Sequence, residues 1–237
     1  MNKLAGFVLL PLSLAGCATG LPCGARAALG LEGFRRYGPP APPRELPGAG
    51  GPGGAALHVG PAARERAVSA ARSLVGSREI VLRGKRYPSD CTGLVLAVYG
   101  PLGLDLLDSA QAGDNGVTAI YRFAREHGRI YEGGWPLPGD LVFFRDTYDQ
   151  NRDGRANDGL THVGIVEGFA PDGTVTVIHR VRRGVVRYHM NLAHRELHLS
   201  PGSDRALNDY LRAPGGGRGP LLTGQLFAAY ATVLPVK

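Results

Sequence analysis

Helical periodicity in one half of the chain, and short apolar runs split by turns in the other, predict an α+β domain with N-terminal helices packed on an antiparallel β-sheet meander. The first helix starts near Pro61, a residue suited to a first helical turn, and Ala67, Val68, Ala71, Leu74 and Val75 follow at three-and-four spacing until Gly76. A loop over 77–88 leads to a second helix that opens at Cys91, capped by Ser89 or Asp90, and stops at Gly100-Pro101. Val117, Ile120, Tyr121 and Ala124 mark a third, ending at His127-Gly128. After Trp135 the pattern changes. Leu141-Val142-Phe143-Phe144 reads as a buried strand, and His162–Glu167, Thr174–His179 and Gly184–Met190 as further strands, the first two joined through Pro171-Asp172-Gly173. A Gly/Pro loop follows at 214–220, and 221–234 is open between a closing helix and a strand.

The 237-residue chain, 43% hydrophobic, is long enough to bury a full core. Its start is a different matter. Lys3 followed by the short apolar run Leu4–Leu14 is too short to span a bilayer and reads as a secretory signal over 1–16. Leu14-Ala15-Gly16-Cys17 resembles the lipobox of bacterial lipoproteins, which implies that Cys17 is lipidated and begins the mature chain. The expected location is therefore the cell envelope, with a lipid anchor in the membrane. Ala18 after the cysteine implies the periplasmic face of the outer membrane in a Gram-negative host. Residues 17–60 are rich in Gly, Pro and Ala, including Pro39–Pro43 and Pro47–Gly54, and read as a tether. The folded region is then 61–237, with its core motifs in 61–190 and an extension at 200–237.

Three cysteines in an exported chain leave Cys23 and Cys91 once Cys17 carries lipid, so a Cys23–Cys91 disulfide stands against a free thiol at Cys91. No C-x-x-C pair occurs, which removes zinc-ribbon and thioredoxin-like classes. The net charge of +7 suits contact with anionic lipids and wall polymers; with no nucleic-acid motif beside it, nucleic acid is not an expected partner. The arginines at 180, 182, 183 and 187 read as a solvated basic face.

Cys91 in a first helical turn meets unpaired N–H groups and the positive end of the helix dipole, which favour a thiolate. A cysteine nucleophile needs a base and a group that orients it. A symmetric hairpin about Pro171-Asp172 places residue 164 opposite 179, so His162 and His179 share a face as diagonal neighbours, and a one-residue slip would part them. His58, His127, His189, His194 and His198 are left as surface or core residues.

Asp90-Cys91-Thr92-Gly93-Leu94-Val95, Pro138-Gly139-Asp140-Leu141-Val142-Phe143-Phe144, Thr161-His162-Val163-Gly164-Ile165-Val166 and Ile178-His179 resemble the successive motifs of the NlpC-type papain-like cysteine peptidases. The resemblance implies a papain-like fold and a cell-wall endopeptidase acting on peptidoglycan stem peptides. Cys91 would be the nucleophile, with its backbone N–H serving the oxyanion, His162 the general base and acid, and His179 the residue that orients it. No cofactor is required. Two departures are visible: Thr92 stands where the family has serine, and the upstream Y-x-W-G-G segment is missing. The related CHAP-type enzymes share the cysteine-then-histidine order. Three functions follow as expectations: peptidoglycan peptide hydrolase, CHAP-like amidase or acyltransferase on another amide, and non-catalytic wall-binding lipoprotein.

One insertion stands apart. Asp149, Asn151 and Asp153 before Gly154 match the first half of a calcium loop, with Asn157 and Asp158 as further oxygen donors, but Leu160 occupies the twelfth position, where a glutamate belongs. A structural calcium and a polar loop closed by Asx turns both fit.

Overall fold

A computed structural model describes residues 61–215 and 219–234. The signal segment, Cys17, Cys23 and the tether lie outside the described residues. Helix α1 (Pro61–Ser73) precedes a small hairpin, β1 (Ile80–Leu82) and β2 (Lys85–Tyr87). Helix α2 (Cys91–Tyr99) runs into a 3-10 turn at Gly100–Leu102, and α3 (Gly116–His127) follows. Then come β3 (Arg129–Tyr131), β4 (Leu141–Arg145), β5 (Leu160–Phe169), β6 (Val175–Val181) and β7 (Gly184–Met190). The chain closes with β8 (Tyr210–Arg212), β9 (Leu221–Leu222), the one-turn helix α4 (Thr223–Leu226) and β10 (Phe227–Thr232). None of the helices among the described residues is long and apolar enough to cross a membrane.

The main sheet has six strands in the order β3-β10-β4-β5-β6-β7, every neighbouring pair antiparallel. Its faces carry two apolar clusters, as expected for a sheet covered on both sides. Phe143, Val163, Ile165, Ile178 and Val185 pack with residues of α1, α2 and α3. Val142, Phe144, Val166, Val177 and Met190 pack with Leu226, Phe227 and Tyr230.

The α+β class, the three helices and strands β4 to β7 match the sequence analysis. The loop expected over 77–88 is instead a hairpin, turning on Arg83 and Gly84 with φ of 52° and 76°. Two adjacent positive φ values are those of a type I′ turn, and an arginine in the first position hides that signal. The open question over 221–234 resolves as a short strand, a single helical turn and the strand β10.

The β5–β6 hairpin has the register that matters most. Its turn closes through the Ala170 N–H to the Thr174 carbonyl at 2.8 Å. Phe169 pairs with Val175 and Gly168 with Thr176, but then Val166 pairs with Val177 and Ile165 with Ile178. Glu167 is thus an extra residue in β5, a β-bulge. The sequence analysis reached the right register by centring the turn on Pro171-Asp172; in the molecule the turn sits elsewhere and the bulge makes up the difference.

Asp140, in the turn before β4, is fully buried and holds four elements together. Its Oδ1 accepts from Arg64 of α1 at 2.8 Å and from Thr232 of β10 at 3.0 Å. Its Oδ2 accepts from Tyr131 of β3 and from the Leu137 N–H. Asp140→Ala removes the carboxylate that balances the buried Arg64 charge and accepts from Tyr131 and Thr232, and is expected to cost about 3 kcal/mol. Urea unfolding of the two proteins measures this, and a loss within ~0.5 kcal/mol would show the network to be dispensable.

Candidate active site

Asp90 caps α2: its Oδ1 accepts from the Gly93 N–H and from Thr92 Oγ1, both at 2.7 Å. Gly93 is required by close approach, because a Cβ there would lie 1.9 Å from the Pro88 carbonyl oxygen. Cap and glycine together fix the chain path into α2 and hold Cys91 as the first helical residue. Cys91 is a free, half-buried thiol packed at the fringe of the helix-side cluster.

His162 lies near the start of β5 on the opposite face of the sheet, the one carrying Val166 and Val177. The ladder between β5 and β6 ends at Ile165 and Ile178, although both strands run further. Cys91 and His162 both line one cleft of about 530 Å³. That volume is in the range of a ligand site. The N–H of Val163, in the part of β5 beyond the ladder, points at the sulfur.

His179 on β6 is fully buried behind His162, and His162 Nε2 meets His179 Nδ1 at 2.8 Å. Gly164 makes the room. A Cβ at that position would come within 2.6 Å of Val177 Cγ1 and 3.2 Å of His179 Cβ. The face-sharing of the two histidines read from sequence is therefore what the molecule has. His179 Nε2 has no hydrogen-bond partner, and the ring packs edge-on against Tyr188 at 4.5 Å, over which Arg183 lies.

The electrostatics depart from expectation at Cys91. The helix start was expected to favour a thiolate, but burial pushes the thiol up to about 11, and the N–H groups of Val163, Thr92 and Cys91 only partly offset it. Asp90 adds to the rise. Burial also lowers His162 to about 4 and holds His179 well below the usual histidine range. At neutral pH the resting site is a thiol beside two neutral imidazoles.

Sequence reasoning did not find the rest of the lining. Tyr148, exposed in the β4–β5 loop, and Arg180 and Arg182 at the end of β6 border the same cleft as Cys91. The only signal for the arginines was their clustering, which had been assigned to a solvated face.

The insertion at 149–158 is closed by its own side chains. Asp149 accepts from Gly154 N–H, Asn151 from Asp153 N–H, and Asp153 from Arg155 N–H and Asn157 Nδ2. Asp158 Oδ1 accepts from the N–H groups of Gln150 and Asn151. The Asn151–Asp153 and Asp153–Arg155 contacts are Asx turns. Asp149 Oδ1 and Asp158 Oδ2 are buried without a partner, but two such oxygens fall short of the six or more that calcium takes. Among the described residues no three acidic, histidine or cysteine side chains form a metal-holding group.

This architecture, helices on one face of an antiparallel sheet with a cysteine at a helix head and a histidine at a strand start, is α+β and papain-like. Within it, residues 83–180 match the family model described as CHAP domain, a segment that contains Cys91, His162 and His179. CHAP domains are in general cysteine- and histidine-dependent amidohydrolases or peptidases associated with peptidoglycan. The match falls on the relative of the NlpC-type family named from the motifs, not on that family itself. Neither a curated protein nor a solved structure matches the chain.

Alkylation of Cys91 by iodoacetamide is expected to rise with pH through a midpoint above that of a free cysteine, about 8.5. A midpoint below about 7 would show a preformed thiolate–imidazolium pair instead. Chelation with EDTA is expected to leave the melting temperature unchanged, whereas a calcium-dependent rise would make the 149–158 loop a cation site.

Proposed function

We propose that this chain is a cysteine amidohydrolase that cleaves peptide bonds in peptidoglycan stems through an acyl-enzyme. The observation that carries the reading is the 2.8 Å contact between His162 Nε2 and His179 Nδ1, in a molecule where His162 and the Cys91 thiol border one cleft. That contact occupies Nε2 and leaves Nδ1 as the ring nitrogen able to serve the cleft. The CHAP match over this segment supports the same substrate class.

In the proposed reaction His162 Nδ1 takes the Cys91 proton as Sγ attacks the scissile carbonyl carbon. The S–C bond forms, and the carbonyl electrons move to oxygen. N–H groups of the first turn of α2, that of Cys91 among them, have no helical acceptor and can receive that oxyanion. Collapse breaks the C–N bond, and His162 returns the proton to the departing amine. Water then attacks the thioester, gives its proton to His162, and leaves a carboxylic acid and the thiol. His179 orients His162 by accepting from Nε2–H. No step uses a metal or cofactor. We further propose that Cys17 anchors the domain in the cell envelope through the 17–60 tether, on the strength of Leu14-Ala15-Gly16-Cys17.

Muropeptide digestion read by mass spectrometry tests the reaction. Cys91→Ala is expected to abolish cleavage, and His179→Ala to reduce kcat by about 10- to 100-fold, the range of a lost orienting group. Cleavage that survives Cys91→Ala would end the proposal. Products bearing an added amine would make the chain an acyltransferase, and binding without turnover in the unaltered protein would make it a wall-binding module.

A further inference from the structure

Arg180 and Arg182 border the cleft that holds Cys91 and His162, and neither forms an ion pair among the described residues. Arg180 is committed to carbonyls: its Nε and Nη2 donate to the Arg78 carbonyl at 3.3 and 3.0 Å, and its Nη1 to that of Val181. It contributes fixed positive charge to the wall. Arg182 is different. It is exposed, begins the two-residue turn between Val181 and Gly184, and has no hydrogen-bond partner among the described residues. The turn itself is anchored, because the Val185 N–H donates to the Ser77 carbonyl at 2.9 Å and the Gly76 N–H to the Val185 carbonyl at 2.8 Å. Arg182, without a partner among the described residues, thus borders the cleft from an anchored turn.

The acidic side of the balance is small. Asp90 is the one carboxylate in the lining, and its Oδ1 is taken up in capping α2. Two guanidiniums against one carboxylate leave the lining with an excess of one positive charge, which attracts anions. The anion has to fit beside a thiol and an imidazole, and a planar carboxylate is the group whose geometry a free guanidinium matches with two parallel hydrogen bonds.

We propose that Arg182 is a specificity-determining residue that binds a free carboxylate carried by the substrate near its scissile amide, so that the site prefers acidic peptide substrates to their amidated forms. This rests on the hydrolase reading for its substrate class but not for its test.

The test uses the full chain and two probes: muropeptides with free stem carboxylates, and the same muropeptides with those carboxylates converted to amides. The unaltered protein is expected to favour the free acids by about tenfold or more in kcat/KM, as a charge-assisted pair would give. Arg182→Gln is expected to bring that ratio close to one, with the loss carried by KM, and Arg182→Lys to restore part of it. A ratio that stays the same in Arg182→Gln overturns the proposal. Binding of both probes to the Cys91→Ala protein, measured by calorimetry, separates this from the hydrolase reading. A preference for the free acids there, in a protein whose unaltered form cleaves neither, would retain the arginine's role and remove the reaction. Equal binding of the two probes would remove the arginine's role.

Discussion

The site depends on one residue's worth of strand register. Extended without a break from its turn, the β5–β6 ladder would put His162 and His179 on opposite faces of the sheet, because side chains alternate with a period of two. The extra residue at Glu167 shifts the register once, and the two rings then meet. The bulge is held from outside the hairpin. Glu167 Oε1 accepts from Arg72 Nε of α1 at 2.7 Å, and its two oxygens take both ends of the Arg187 guanidinium of β7, at 2.6 and 3.0 Å. The carboxylate is mostly buried while the arginines are half exposed, so the triad works chiefly as a geometric tie. It secures the inserted residue to the helix above and the strand beside.

A second constraint sets what surrounds the hairpin. The last strand, β10, enters between β3 and β4 rather than at an edge, so the sheet is complete only when the end of the chain is in place. Asp140 joins that strand to α1 and β3 at the point where β4 begins. The Tyr99 hydroxyl donates to the Gly139 carbonyl in the same turn, which ties in the far end of α2. The helix that presents Cys91 and the strands that present the histidines are thereby fixed to a common turn.

These relations were unequally visible in the sequence. Local signals were legible: the Asp90 cap, the apolar spacing of α1 to α3, the alternation of β5 to β7, and the diagonal placement of His162 and His179. Gly93 and Gly164 appeared only as motif letters, since their reason lies in close approaches, to Pro88 just before α2 and to Val177 and His179 on the neighbouring strand. The bulge at Glu167 was invisible, because a glutamate pairing with Arg72 and Arg187 looks like any surface charge until the register is known. β3 and β10 were missed or left open for a related cause: β3 has only three residues, and the partners of both strands are about a hundred residues distant. Arg182 was read as solvated because a basic cluster carries no information about which cavity it borders.

The neutral resting site follows from the same geometry. A helix N-terminus stabilises a nearby anion by up to ~2 kcal/mol, and here that is less than what burial takes away, since the Cys91 thiol still ends up raised to about 11. His179 cannot reverse this as a carboxylate would. It offers a lone pair at Nδ1 but no negative charge, and its Nε2 has no second partner to fix its proton. The pair of rings can therefore orient His162 and follow its tautomer, while charge stabilisation has to come from elsewhere. If the thiol ionises only as substrate enters, the negative charge passes from sulfur to the oxyanion within a cleft already bordered by Arg180 and Arg182. Their field favours both anions and disfavours the imidazolium. In the proposed reaction the wall's help to the anion is set against its cost to the imidazolium, so it acts on where the negative charge rests rather than on whether the proton moves.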